Sequence, residues 1–158
     1  MTIRHLLFIG DSLANGVGLH YSDGNATNKA IDGSLANSWV GQVRPLVQHY
    51  HPSIVVVSLG MNHSQFSRFP GQLAAIREEI DGRTVVWFLP PVMPAELEVR
   101  RQNTILHVSA IAQEHRDQLF DLDTVGAQRA PDHVHFAWGS SGYGKLASGL
   151  KSFVATFS

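Results

Sequence analysis

Apolar and polar positions along the chain alternate between two periods. Short, nearly continuous apolar runs, several of them rich in β-branched residues, are typical of strands buried on both faces of a parallel sheet. Between them lie segments whose apolar residues recur at helical spacing. This alternation predicts a three-layer α/β/α architecture with a doubly wound sheet. The five predicted strands cover residues 5–9, 29–31, 54–57, 84–89 and 119–122.

The segments between the predicted strands contain the predicted helices. Pro45 interrupts one of them and predicts a kink or a later start, because proline lacks the N–H that a helix interior needs. A polar stretch rich in glycine and asparagine, residues 14–28, follows neither period and is assigned to no element. The helical segments are residues 39–50, 70–80, 95–115 and 143–157.

Length, charge and cysteine content narrow the classes of protein. The chain of 158 residues suits one domain with a proper core, so residues 1–158 are predicted to form a single domain. The net charge of −1, without a basic stripe or polybasic segment, argues against nucleic acid and anionic membranes as partners. The absence of cysteine excludes disulfides, thiolate metal sites and cysteine nucleophiles.

The location of the protein is predicted from its apolar runs. No run approaches the length of a membrane span. The apolar stretch of residues 6–9 is short for a secretory signal peptide and leads directly into a candidate functional turn. A cytoplasmic protein is therefore expected, with export by another route or release by cell lysis left open.

A serine stands at the carboxyl end of the first predicted strand. Gly10 and Asp11 make the turn there and Ser12 follows at once, at the edge where open α/β sheets place their ligands. Near the other end of the chain, Asp132 and His135 stand three residues apart, just before the last predicted helix. Serine, histidine and aspartate together supply a nucleophile, a base and an orienting group. Taken alone, Ser12 fits an ordinary turn or N-cap serine better.

Four short motifs occur in order along the chain. They are Gly10-Asp11-Ser12-Leu13, a glycine after the second predicted strand at Gly33, Gly60-Met61-Asn62-His63 after the third strand, and Asp132-His133-Val134-His135 before the last helix. In this order and context the chain resembles the SGNH hydrolases, also called the GDSL esterase/lipase family, over almost its whole length. The resemblance implies a flavodoxin-like fold, a five-stranded parallel sheet in the order 2-1-3-4-5, and hydrolysis of ester bonds.

The resemblance also implies roles for individual residues. Ser12 would be the nucleophile, His135 its general base, and Asp132 the group that orients the imidazole. The oxyanion hole would consist of the backbone N–H groups of Ser12 and Gly33 and the side-chain amide of Asn62. Gly33 and Asn62 also fit the interpretation of plain turn residues.

Other polar residues near these motifs are interpreted differently. Asp11 is expected to hold local N–H groups and is left out of the catalytic set. His63 stands where the family usually has an aspartate, and its imidazole is a candidate substrate contact. A metal site built from His63, Asp132, His133 and His135 is not favoured, because their spacing matches no recognised ligand pattern. No metal or cofactor is therefore predicted.

The substrate class is predicted from the polarity around the site. The polar stretch 14–28 is expected to border the pocket, where a lipase for long chains would expose a more apolar wall. Residues 90–94 are expected to form another rim. Trp138, close to His135, is a candidate contact for a sugar or acyl group, or else packs at the start of the last helix. The prediction is hydrolysis of a small, acetyl-like ester, with a carbohydrate or glycan as one candidate carrier.

Two alternatives stay open at this point. Within the same family, thioesterase and lysophospholipase activities fit the same motifs. A non-catalytic flavodoxin-like module would instead bind a phosphate-bearing ligand at residues 10–18, after the first strand. That segment matches neither the dinucleotide-binding pattern nor the P-loop pattern. The expected partner is a small-molecule or glycan ester, and the oligomeric state is not predicted.

Overall fold

A parallel sheet lies at the centre of the computed structural model, which describes residues 4–21 and 24–157. The strand order is β2-β1-β3-β4-β5, and every neighbouring pair is parallel. The central strands β1 and β3 are buried along their whole length. The order implied by the resemblance is therefore confirmed. The strands are β1 (Leu6–Gly10), β2 (Ala26–Asn28), β3 (Ile54–Ser58), β4 (Thr84–Leu89) and β5 (Gln118–Asp121).

Helices cover both faces of this sheet. They are α1 (Ser12–His20), α2 (Ala36–Trp39), α3 (Val43–Tyr50), α4 (Phe69–Ile80), α5 (Glu98–His115) and α6 (Tyr143–Val154). Successive strand residues point to opposite faces, so Leu6 and Phe8 of β1 pack with α1 and α6. Leu7 and Ile9 pack on the other face with α2, α3, α4 and α5. The predicted three-layer α/β/α fold is confirmed.

The second strand lies elsewhere than predicted. The strand occupies Ala26–Asn28, whereas the sequence predicted residues 29–31. It is a half-buried edge strand of three residues without an apolar run, so the hydrophobic pattern carries little signal there. The predicted segment still runs beside β1, because Lys29 N–H donates to the carbonyl of Phe8 and Ile31 N–H donates to that of Gly10.

The polar stretch after the first strand is mostly regular structure. Helix α1 begins at Ser12 and reaches His20, although glycines inside a helix lower its intrinsic stability. The packing explains them: a Cβ on Gly16 would lie 2.3 Å from the ring of Tyr143 on α6. Tyr21 is buried in the core. The prediction that residues 14–28 border the pocket as one polar rim is therefore wrong, and residues 22 and 23 lie outside the described part of the chain.

Helices α3, α4, α5 and α6 agree with their predictions apart from their ends, whereas the short helix α2 was not predicted. Helix α3 begins at Val43, which places Pro45 in the first turn where proline is tolerated. A short 3₁₀ turn, Ala95–Leu97, precedes α5 within the predicted long helix. Across residues 4–21 and 24–157, none of the helices has the length and apolar character needed to cross a bilayer.

Candidate active site

The turn between β1 and α1 places Ser12 at the carboxyl end of the sheet. Gly10 has a φ of +118°, and a Cβ there would lie 2.0 Å from the carbonyl oxygen of Ser58 on β3. Only glycine tolerates both conditions. Ser12 is the first residue of α1, so its hydroxyl sits at the start of a helix and at the topological switch point of the sheet.

Asp11 caps this helix from a buried position. Its Oδ1 accepts a hydrogen bond from the N–H of Leu13 over 3.1 Å, as an N-cap carboxylate does. Burial raises the pKa of Asp11 from its ordinary value of 3.8 to about 6, against the opposing effect of the Ser58 side chain. The geometry agrees with the local N–H-holding role expected for Asp11.

Ser12, His135 and Asp132 form a continuous hydrogen-bonded chain. The hydroxyl oxygen of Ser12 lies 3.0 Å from Nε2 of His135, and Nδ1 of His135 lies 2.7 Å from Oδ2 of Asp132. A proton on Nδ1, donated to the carboxylate, leaves Nε2 free to accept from the serine hydroxyl. The side chains of His135 and Asp132 are 41% and 49% exposed, so the chain opens to solvent.

Asp132 is held in its ionised form by its own loop. Its Oδ1 accepts from the N–H groups of Val134 and His135, both over 2.9 Å. The hydrogen bond with the His135 side chain, followed by these two backbone bonds, holds the pKa of the Asp132 carboxyl well below its usual range. An ionised carboxylate is the form that orients an imidazole and stabilises its protonated state.

The loop after β2 lies beside this turn and contains Gly33. The carbonyl of Gly10 accepts from the N–H of Ile31 over 2.8 Å and from the hydroxyl of Ser34 over 2.7 Å. Gly33, exposed and with a φ of +72°, therefore sits in a loop anchored to the end of β1. The side-chain amide of Asn62, after β3, donates to the carbonyl of Ser34 over 3.2 Å. The structure thus brings together the three loops that hold the predicted oxyanion donors.

Comparison with known proteins supports the fold. The sequence matches no family model, and it matches no curated protein. Among solved structures, the lipase/acylhydrolase from Enterococcus faecalis superposes with a TM-score of 0.71 at 16% identity, covering 96% of this chain and 95% of that one. A catalytic mutant of an acetylxylan esterase from Geobacillus stearothermophilus gives a TM-score of 0.74 at 18% identity, covering 100% and 98%. The aryl esterase from M. smegmatis gives 0.72 at 14% identity, covering 98% and 99%.

The chain has the SGNH hydrolase fold. The resemblance predicted from the four motifs is confirmed at this level. The alignments extend over nearly the full length of this chain and of each of the three similar structures.

His63 lies inside this SGNH fold and not on its surface. The ring is 3% exposed, and its Nε2 accepts from the N–H of Ala36 over 2.8 Å. Burial and the nearby charge of Arg100 lower the pKa of the imidazole, which favours the neutral form that can accept this bond. The ring stands edge-on to Phe69, with centroids 5.1 Å apart. A side chain that contacts substrate directly is expected to be exposed, whereas His63 is buried.

Trp138 presents the opposite picture. Its side chain is 68% exposed, three residues beyond His135. The ring packs edge-on against His20, with centroids 4.5 Å apart. His20 is itself fixed at both ring nitrogens, since Nδ1 donates to the carbonyl of Gly16 and Nε2 accepts from the N–H of Gly139. Trp138 thus presents an exposed aromatic face on the fixed ring of His20, and its role as a substrate contact stays a prediction.

Sequence reasoning missed Arg129 and His20. Both act on backbone groups: His20 on Gly16 and Gly139, and Arg129 on the loop that contains Asp132 and His135. A side chain whose partners are carbonyls or N–H groups leaves no residue-type pattern in the sequence. Within the described residues, 4–21 and 24–157, no group of three His, Asp or Glu side chains is arranged to hold a metal ion.

Proposed function

We propose that this chain is a serine esterase of the SGNH type, with Ser12 as nucleophile, His135 as general base and Asp132 as orienting carboxylate. The observation that carries the proposal is the continuous chain of 3.0 Å and 2.7 Å contacts from the Ser12 hydroxyl to the Asp132 carboxylate. Ser12 meets His135, 123 residues further along the chain, at the edge of the sheet where open α/β folds bind their ligands.

The acylation step follows from this geometry. The Ser12 oxygen attacks the ester carbonyl carbon while Nε2 of His135 takes the hydroxyl proton. Asp132, held ionised, stabilises the imidazolium. The tetrahedral intermediate collapses, His135 gives the proton to the leaving alkoxide, and an acyl group remains on Ser12. Water activated by His135 then attacks this acyl group, which releases the carboxylic acid and restores the serine.

The developing negative charge would be stabilised by three donors. They are the backbone N–H groups of Ser12 and Gly33 and the side-chain amide of Asn62. One amide proton of Asn62 is used by the carbonyl of Ser34, which fixes the side chain and leaves its second N–H for the oxyanion. Preorganised donors of this kind need no reorientation when the charge appears.

The substrate class proposed is a small, acetyl-like ester, with an acetylated carbohydrate as the candidate carrier. Support comes from the open position of the triad, with His135 and Asp132 41% and 49% exposed, and from the exposed Trp138, three residues after His135 in the chain. Aromatic faces next to polar groups suit the mixed apolar and hydroxylated surface of a sugar. One of the similar structures is an acetylxylan esterase. The polarity of residues 14–28 no longer contributes, because most of that stretch is helix or core.

Intact-mass spectrometry after exposure to a fluorophosphonate probe tests the proposal. We expect one adduct on the wild type, none on Ser12→Ala, and an unchanged adduct on Ser152→Ala, which removes an exposed serine of α6. A folded wild type without an adduct would overturn the hydrolase proposal. A panel of esters of increasing acyl length then tests the substrate class. Faster cleavage of octanoyl esters than of acetyl esters would contradict it.

A further inference from the structure

Arg129 holds the backbone of the loop that contains Asp132 and His135. Its Nη2 donates to the carbonyl of His133 over 2.5 Å and to that of Val134 over 3.3 Å. Its Nε lies 3.4 Å from the carbonyl of His135. One guanidinium therefore meets three consecutive carbonyls, which a planar group with five N–H donors is suited to do.

The same side chain joins this loop to the loop after β4. Nη1 of Arg129 donates to the carbonyl of Val92 over 2.6 Å. The N–H of Val92 in turn donates to Asp123 over 2.9 Å. The loop after β4 is therefore held through both the carbonyl and the N–H of Val92. The guanidinium also lies over the ring of Phe136, 4.9 Å from its centroid, and that ring is buried in the core.

Within the turn, Asp132 Oδ1 accepts two backbone hydrogen bonds, and the base of the loop is closed by backbone contacts. An isolated antiparallel bridge pairs Arg129 with Phe136, and the N–H of Ala130 donates to the carbonyl of His135. Between these points the chain makes a tight turn in which His133 adopts a left-handed conformation, with a φ of 57°. A non-glycine residue in that conformation persists when its surroundings hold it.

We propose that Arg129 is a positioning residue, whose guanidinium fixes the Asp132–His135 turn so that Nε2 of His135 stays within hydrogen-bond distance of Ser12. The catalytic consequence rests on the proposed function, since it concerns the base that activates the serine. A displacement of about 1 Å at a catalytic group costs about a hundredfold in rate. Lysine would supply a charge but not a fork, so it would meet at most part of the carbonyl set.

The test compares Arg129→Ala, Arg129→Lys and Arg44→Ala, the last removing an exposed arginine on α3. We expect kcat for an acetyl ester to fall about a hundredfold in Arg129→Ala, with KM changed less than about threefold. Arg129→Lys should recover only part of the loss, and Arg44→Ala should match the wild type. Millimolar guanidinium should restore activity to Arg129→Ala, whereas ammonium at the same concentration should not.

A second readout is independent of turnover. We expect the Nδ1 proton of His135, bonded to Asp132, to give a strongly downfield imidazole resonance in the wild type, which should weaken in Arg129→Ala and return with guanidinium. An unchanged resonance, or activity of Arg129→Ala equal to that of Arg44→Ala, would overturn the proposal. Failure of the proposed function shows itself separately, as a wild type without a Ser12 adduct, and the resonance then decides the role of Arg129 alone.

Discussion

The backbone N–H of Ala36 donates a hydrogen bond to Nε2 of His63 over 2.8 Å. The preceding residue, Asn62, donates through its side chain to the carbonyl of Ser34. Two consecutive residues after β3, Asn62 and His63, thus bind the end of the loop after β2 and the first residue of α2. That loop contains Gly33, so the two contacts fix one proposed oxyanion donor, Gly33, relative to another, Asn62.

Replacing His63 separates this backbone contact from simple packing. His63→Phe keeps a ring of similar size but loses the acceptor, and we expect kcat to fall several-fold, up to the hundredfold typical of losing one oxyanion donor. His63→Gln keeps a side-chain acceptor and should remain closer to the wild type. Steady-state kinetics on both variants, with thermal melts as the folding control, measure the difference. Equal kcat values for the two variants would contradict this role.

Asn62→Ala tests the proposed oxyanion hole directly. The change removes a donor whose value is realised only when charge develops, so kcat should fall about a hundred- to a thousandfold. KM should change far less, because ground-state binding does not use the donor. Asn103→Ala, on α5, is the matched control. An increase in KM without a fall in kcat would assign Asn62 to substrate binding, contrary to the proposal.

Asp11→Asn is expected to change the pH dependence of stability. The pKa of Asp11 is raised from 3.8 to about 6 in the folded protein, so between these values the folded state binds more protons than the unfolded state. The contribution of Asp11 to stability is therefore complete below about pH 4 and is lost as the pH rises through about 6. Asparagine still caps the helix but does not titrate.

Urea unfolding of both proteins from pH 4 to pH 8 checks this prediction. The free energy of unfolding of the wild type, relative to Asp11→Asn, should decline across that interval and level off above about pH 7. A difference that stays constant with pH would mean that the carboxyl of Asp11 does not titrate abnormally.

The sequence predicts an element well when the local residue pattern determines it, and poorly when contacts with distant residues do. The β-branched run of residues 54–57 has a buried strand as its simplest explanation, and the strand order followed from the family resemblance. Helix α1 was missed because Gly16 opposes a helix by intrinsic propensity. Its requirement for glycine comes from the ring of Tyr143, which is distant in sequence. Tertiary contact overrode the local pattern there.

Some residues of the site could likewise be predicted from the sequence, and others could not. The order of motifs along the chain brought Ser12, Asp132 and His135 to attention, and the structure places them within hydrogen-bond distance of one another. Burial of His63 and the grip of Arg129 on backbone carbonyls depend on how loops cross at the sheet edge. Neither is encoded by residue type at a given spacing, so both needed coordinates.

Trp138→Ala tests whether the exposed indole of Trp138 contacts a sugar. Since the ring is 68% exposed and stands on His20, its removal should leave the core intact. We expect KM for an acetylated oligosaccharide to rise about three- to tenfold, the size of one aromatic contact. Hydrolysis of a small aryl acetate, which reaches Ser12 without a sugar, should change less than about twofold. Trp138→Tyr keeps an aromatic face and should retain most of the affinity. If both substrates lose activity equally in Trp138→Ala, the tryptophan supports the loop through His20 and Gly139, and the carbohydrate assignment loses its main structural argument.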